Sequence, residues 1–467
     1  MRKMSGYVRA TTPRSVQGAK PSPGTTARTA AGGVALTLLA IFFWLFFYQN
    51  LPDNLDGMAA NNLEDGVFKA PVLLANETDR LIKVGMLLFS LYVIASRWSL
   101  MRSLAQTSNI GAAAFLALAL MSAEWSFDPS ATTLRFVSLI TIFLLCCAIT
   151  LSGWHRRRFQ QMALPPLMLI LLASLVMGMV APDRMIELGT DLSQKNAWHG
   201  FTHSKAEFGM MSSIALIICA NRWLAREGRP HWPIVGTAVA FLCLVLSRSN
   251  SSLLAAMLAL LFMVLVMRVP FITQRYSTQV AVAIAAGILL YELAIQDVIP
   301  GTHTLISPIM NLTGKDATFS GRTIIWDIVK QHIQAAPYLG SGYGAYWLGP
   351  LPGSPSYLFI PIMYFYPTEA HNGYLDVVND LGIVGLICVL AFIFWYIRQA
   401  LQLMQFDRGQ ATVYLALLFQ QMVMNMSESE WFSRTSTFAV LILASCCLSR
   451  GLLEFRSQAR SVRPAGR

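Results

Sequence analysis

Charge is what this chain has least of. Acidic and basic residues make up 13 % of its 467 residues, against the ~25 % of an ordinary soluble domain. So few charges cannot cover the water-facing surface of a 51.6 kDa protein. Soluble, intrinsically disordered and collagen-like classes are excluded. Cysteine in polar loops is also lacking. Cys146, Cys147, Cys219, Cys243, Cys388, Cys446 and Cys447 all lie inside apolar runs. That excludes a disulfide framework and CxxC metal spacing, and makes them small core residues. No Walker loop, HExxH or GxSxG is present, so the common soluble-enzyme chemistries have no foothold. No basic run is interleaved with aromatics, so the net charge of +11 does not mark a nucleic-acid binder.

What is abundant is apolar length. Apolar residues make up 55 % of the chain and the mean hydropathy is +0.52. Twelve apolar runs predict membrane-spanning helices near 31–49, 82–96, 109–123, 133–152, 162–181, 207–222, 232–247, 251–267, 278–296, 381–398, 411–426 and 435–450. Only Ser247-Arg248-Ser249-Asn250 separates the seventh from the eighth. The fold class is therefore all-α: a polytopic integral membrane protein of about twelve transmembrane helices. Eleven Trp, 14 Tyr and 26 Phe suit interfacial belts and packed helices.

The charges that exist are sorted by side. With the N-terminus placed in the cytoplasm, the inner segments hold 23 basic residues and three acids (Glu227, Asp407 and Glu454). The outer segments hold the other 12 basic residues and 21 acids. The positive-inside rule reads this as a multi-pass inner-membrane protein with both termini cytoplasmic. The expected organisation is a cytoplasmic disordered tail at 1–30, spans one to nine over 31–296 and a large periplasmic loop at 297–380. Spans ten to twelve follow over 381–450, then a cytoplasmic basic tail at 451–467. The polar residues ahead of the first run, and the lack of a small-residue cleavage site soon after it, argue against a cleaved signal.

Polar residues at the outer face are the candidates for chemistry. Arg248 lies between two apolar runs, where desolvation is expensive, so it reads as a functional residue or an interfacial anchor. His199-Gly200-Phe201-Thr202-His203-Ser204-Lys205 offers an anion site or a solvated helix start. Arg322 opens a helical pattern over 322–335 that Ser320 would cap. A cation at a helix start opposes the macrodipole, which points to an anionic partner or to a salt bridge. Thr368 is expected to cap a helix carrying Glu369 and His371 in its first turn. That helix end would lower the His371 pKa and keep the imidazole neutral, ready to act as a general base. Gly340-Ser341-Gly342-Tyr343-Gly344 follows Pro337 rather than a strand and reads as a tight turn, not a dinucleotide loop. The acids Asp53, Asp56, Glu64 and Asp65 match no metal-site spacing, and no cofactor is expected.

Taken in order, these segments resemble a family signature. Ser247-Arg248, then Gly321-Arg322 with Trp326, Pro337 and Gly340, then His371-Asn372-Gly373-Tyr374-Leu375 with Gly382 and Gly385, resemble the superfamily of O-antigen ligases and of O-antigen and exopolysaccharide polymerases. Gly321 to Trp347 and the His-Asn-Gly-Tyr-Leu segment are most similar to the exopolysaccharide-polymerase branch. Glu124-Trp125-Ser126 with Asp128-Pro129 is a weaker match. The resemblance implies a C-type glycosyltransferase-like membrane fold and a metal-independent enzyme. Its donor would be a glycan on undecaprenyl pyrophosphate, and its acceptor another glycan. Arg248, Arg322 and His371 would be catalytic. Lys205, His203, Glu369, Asn372, Tyr374 and Trp326 are expected to bind substrate. Lys205 is followed here by Ala206 where many relatives carry Asn. The partners implied are the bilayer, the lipid-linked glycan and other polysaccharide assembly and export proteins.

The expected reaction is polymerisation of lipid-linked repeats into exopolysaccharide at the periplasmic face. Two guanidiniums would stabilise the leaving pyrophosphate and His371 would take the acceptor proton. A ligase moving finished glycan onto lipid A–core or protein would use the same groups with another acceptor. A secondary transporter is the rival from a different class, and Glu292 in the ninth run is its best sequence support.

Overall fold

A computed structural model describes residues 77–154, 159–187, 196–202, 204–226, 231–295, 322–349, 354–363 and 366–462. The predicted first span 31–49, the acids at 53–65, His203, Ser320 and Gly321 lie outside these residues. The longer helices are α1 (Glu77–Ser96), α2 (Trp98–Gln106), α3 (Ile110–Met121), α4 (Pro129–Ser152), α5 (Phe159–Val180), α6 (Lys205–Leu224) and α7 (His231–Leu246). They continue with α8 (Asn250–Arg268), α9 (Ser277–Ile295), α10 (Arg322–Ala335), α11 (Gly373–Met404), α12 (Arg408–Met424) and α13 (Ser436–Val462). A two-residue antiparallel ribbon, Ile186–Glu187 with Ala197–Trp198, sits in the α5–α6 connection. The protein is an all-α membrane protein.

The eleven predicted spans that fall on described residues each coincide with a helix. Five of those helices (α4, α5, α8, α11 and α13) are long and apolar enough to cross a membrane. A sixth span forms if α1 and α2 count together, but they are bent by 92°. The bend falls at Arg97, whose Nη1 donates to the Leu151 carbonyl at 2.6 Å. Helices α3, α7 and α9 are apolar but shorter.

Polar side chains set the helix starts. Asn109, Asp128, Ser204, Ser249, Asn372 and Asp407 each accept a backbone N–H from the first turn that follows. Pro129 begins α4, where its missing N–H costs nothing. Helices α6 and α12 are buried all round, continuously from Glu207 to Asn221 and from Gln410 to Met424. A helix without an exposed face belongs in the middle of a bundle. Helix α12 packs against α6, α8, α9, α11 and α13.

One end of the bundle is basic. Arg97, Arg268 and Arg450 donate to the C-terminal carbonyls of Leu151, Leu224 and Gly153. Guanidinium there meets the negative end of the helix dipole. At the opposite end the tenth predicted span is broken. Gly382 has φ 63° and ψ −165° inside α11. The break frees backbone groups, and the 337–342 turn takes them up. Ile383 and Val384 donate to the Pro337 and Tyr338 carbonyls, while Ser341 and Gly342 donate to those of Asn379 and Asp380. Irregular backbone inside a membrane protein survives only with such pairing. A Cβ at Gly382 would lie 2.1 Å from the Tyr338 carbonyl carbon, so the contact requires glycine. Gly340, Gly342 and Gly344 all have positive φ, which fits the tight turn expected of this segment.

The expected helix cap before α11 is corrected. Thr368 does not cap it, and Glu369 and His371 lie ahead of the helix rather than in its first turn. Asn372 is the cap, with its Oδ1 accepting from Tyr374 N at 3.1 Å and Leu375 N at 3.0 Å. A side chain one residue from the helix start reaches those N–H groups; Thr368 is five residues away.

Candidate functional site

Three segments meet at the end opposite the basic one: the start of α10, residues 368–372, and the 425–435 connection between α12 and α13. Asn425 organises the last of these. Its Oδ1 accepts from Glu430 N at 3.0 Å and Trp431 N at 2.7 Å. Its carbonyl accepts from Gly373 N at 2.9 Å, tying the loop to the start of α11. A Cβ on Gly373 would come within 1.9 Å of Asn425 Oδ1.

The loop so held presents Glu428 between two of the predicted catalytic residues. Arg322 donates from Nη2 to Glu428 Oε1 at 3.3 Å and from Nη1 to the Ser427 carbonyl at 2.7 Å. His371 Nδ1 lies 3.4 Å from Glu428 Oε2 and 2.9 Å from Glu369 Oε1. The misfit of a cation at the start of α10 is thus answered by a carboxylate from another element. Trp326, one turn into α10, donates Nε1–H to the Ala370 carbonyl at 2.9 Å and fixes the backbone next to His371.

His371 has φ 52° and Arg248 has φ 51°. Left-handed backbone costs a non-glycine residue about 1–2 kcal/mol, and such strain gathers at functional sites. Arg248 stands in the turn between α7 and α8. That turn lies against the start of α6, where Ser252 Oγ reaches the Ala206 carbonyl at 3.5 Å. Lys205 opens α6 beside that turn, whereas Arg322 and His371 are joined through Glu428 on other segments. Glu207, in the first turn of α6, accepts from Ser436 Oγ at the start of α13 at 3.5 Å.

The electrostatics correct a second expectation. Burial pushes the His371 pKa down, but hydrogen bonds and charge from Glu369 and Glu428 outweigh it, and the value is raised to about 9. The imidazole is protonated at neutral pH, not held neutral by a helix end, because two carboxylates share its Nδ1. Burial raises Glu430 to about 8, partly opposed by hydroxyl donors from Thr435 and Thr437 at 2.5 Å each. Glu369, His371 and Glu428 also bring three ligand atoms within 4.8 Å of one another, a set that would fit a divalent ion if Arg322 released Glu428.

The other predicted substrate contacts are turned inward. Asn372 donates to Glu292 Oε1 at 2.7 Å, and the Tyr374 hydroxyl donates to the Met422 carbonyl at 3.2 Å. Glu292 therefore supports the site from α9 rather than standing alone in a span. Sequence reading missed Glu428 and Asn425. The only trace they leave is a short acidic stretch, Ser427-Glu428-Ser429-Glu430, between two apolar runs.

The fold and site define a multi-pass helical membrane protein with a cation–carboxylate–imidazole cluster at one end. Residues 235–390 match the Wzy_C family, described as O-antigen ligase. That stretch holds Arg248, Arg322 and His371; Lys205 and Glu428 fall outside it. Over 320 residues the chain is 24 % identical to the exopolysaccharide production protein ExoQ of Rhizobium meliloti (strain 1021), covering 66 % of this chain and 69 % of that protein. Both similarities support the O-antigen ligase and polymerase superfamily and its exopolysaccharide branch, with a role in membrane glycan assembly.

Proposed function

We propose that the protein polymerises glycan repeats carried on undecaprenyl pyrophosphate, at the periplasmic face of a bacterial inner membrane. One observation carries this reading: Glu428 brings Arg322 and His371 together from segments about fifty residues apart. Sorting of arginine to the other end of the bundle supports the sidedness. The bond between the donor's anomeric carbon and pyrophosphate breaks while the acceptor oxygen bonds to that carbon. The electron pair leaves on pyrophosphate, where Arg322 and Arg248 stabilise it. Guanidinium suits this because it stays charged and binds two oxygens at once. Lys205, with Arg248, adds charge for the diphosphate; His203 precedes it in sequence.

His371 takes the acceptor proton in its neutral form, with Nδ1 held by Glu428. Trp326, Asn372 and Tyr374 act as positioning residues through the backbone around His371. The raised pKa favours a second assignment of the proton: Glu369 accepts it and the His371 imidazolium stays as a fixed cation. The pH profile separates them. With His371 as base, the rate climbs about tenfold per pH unit and levels off near 9; with Glu369 as base, it falls above about 9.

The test is reconstitution of the full chain in vesicles with the lipid-linked repeat unit. A ladder of longer lipid-linked glycans is expected. Transfer only onto lipid A–core would make the protein a ligase. Uptake of glycan without any transfer would make it a transporter.

A further inference from the structure

A cavity of about 230 Å³ lies between α2, α3, α4, α11 and α13, away from every residue named in the mechanism above. It is smaller than the ~300–1,000 Å³ of sites for drug-sized ligands. Leu104, Leu116, Phe143, Phe392 and Ile442 are among its walls, and no charged residue is among its described walls. Three of its polar side chains are committed to the backbone. Ser108 and Ser449 donate from Oγ to the Ala105 and Thr107 carbonyls at 2.8 and 2.9 Å, and Asn109 donates from Nδ2 to the Phe392 carbonyl at 2.9 Å. Hard cations and anions therefore find nothing to bind. What the walls do offer is sulfur: Met101, Cys147 and Cys446 all line this one cavity.

The cysteines come as two adjacent pairs, Cys146-Cys147 on α4 and Cys446-Cys447 on α13. One member of each pair is engaged elsewhere. Cys146 donates S–H to the Ala439 carbonyl at 3.4 Å, and Cys447 Sγ lies 3.7 Å from the Thr150 hydroxyl. The other two, both half-buried, face each other with Sγ 3.8 Å from Sγ. With metal–sulfur bonds of about 2.3 Å, that separation subtends about 110–120° at a shared ion, the angle of three- or four-coordination. Zinc asks for four ligands in a structural site. Two thiols and a thioether, with no imidazole or carboxylate, are the soft set that selects Cu(I). Cu(I) bound by one thiolate, one thiol and the thioether is also neutral overall, as an uncharged apolar wall requires.

We propose that Cys147, Cys446 and Met101 form a binding site for a monovalent copper ion inside the helix bundle. On binding, copper–sulfur bonds form, one S–H bond breaks and its proton leaves to water; copper stays at +1, so no oxidant is needed. The ion ties α4 to α13, the helix that follows the Glu428 loop. The site does not depend on the transfer reaction, and its test needs no turnover. The full chain in lipid nanodiscs is titrated anaerobically with the acetonitrile complex of Cu(I) against a colorimetric Cu(I) chelator. One ion per chain is expected to resist the chelator. Cys147→Ser and Cys446→Ser each put a hard oxygen in place of a soft sulfur and are expected to weaken binding at least about tenfold. Met101→Leu is expected to weaken it less. Cys219→Ser, on α6 and outside the cavity, leaves it at the wild-type level. Each variant is compared at a metal-free thermal midpoint equal to the wild type's, and wild type alkylated with N-ethylmaleimide should lose the ion without any substitution. No ion retained, retention that survives both cysteine substitutions, or equal retention of Zn²⁺ in a matched competition overturns the proposal. So does a Cys147–Cys446 disulfide found by mass spectrometry in the protein as isolated, which would make the two thiols a redox pair instead.

Discussion

The two ends of the helix bundle employ arginine in opposite ways. At the basic end, Arg97, Arg268 and Arg450 donate to carbonyls that close helices. At the other end, Arg322 holds a carboxylate that is itself shared with a histidine. The residue type is the same at both ends. What differs is whether its partner is a fixed backbone group or a side chain that a ligand can replace. Arginines on fixed backbone carbonyls hold the bundle together, whereas a guanidinium on an exchangeable carboxylate can turn to a substrate.

Substitutions at the two ends should therefore separate activity from stability. The largest loss of activity is expected from His371→Ala, about 10²–10⁴-fold in transfer rate, with the protein still in the membrane fraction. Normal polymer from this variant would remove His371 from the mechanism. Arg322→Lys comes next, because an ammonium cannot bridge Glu428 and a phosphate as a fork does; a drop in kcat of about tenfold or more is expected, with folding intact.

Glu428→Gln sharpens the comparison through pH. It removes one of the two carboxylates that raise His371 to about 9, so the alkaline inflection of the rate profile should move to lower pH. In the wild type the sign for stability is clear. The ion pairs of His371 contribute fully below its ordinary value near 6.5 and are lost as pH rises through about 9. The detergent-solubilised protein should lose thermal midpoint above that pH, and the Gln variant should lose less.

Gly382→Ala tests the backbone between the two ends. The substitution forces a side chain into a conformation with φ 63° and against the Tyr338 carbonyl. A cost of about 1–3 kcal/mol is expected from the conformation, read as a lower thermal midpoint. The smallest effect belongs to Arg268→Ala, about 0.5–1.5 kcal/mol from one lost hydrogen bond at a helix end, with transfer rate unchanged. A fall in kcat there would mean that the basic end also contributes to the reaction.

Much of this architecture was legible along the chain. Apolar length marks helices whatever their neighbours, so the runs from 82–96 to 435–450 coincide with helices. The Ser247-Arg248, Arg322 and His371 segments could be singled out because charged residues beside apolar runs are expensive unless used. Twelve equal crossings were not legible: the 92° bend at Arg97 and the break at Gly382 depend on carbonyls supplied from distant segments. Nor was Glu428, which resembles any acid in a short loop until Asn425 folds that loop against α11. The state of His371 was misjudged for the same reason, since its pKa follows from two carboxylates close in space rather than from the adjacent helix.

Sequence alone determined that the chain is an all-α membrane protein with its charges sorted by end, because burying apolar length and placing arginine are local demands that each segment meets by itself. Tertiary structure decided which cation meets which carboxylate and which proton His371 holds. Those properties depend on distances of a few ångströms between residues tens to hundreds of positions apart, and only packing sets such distances.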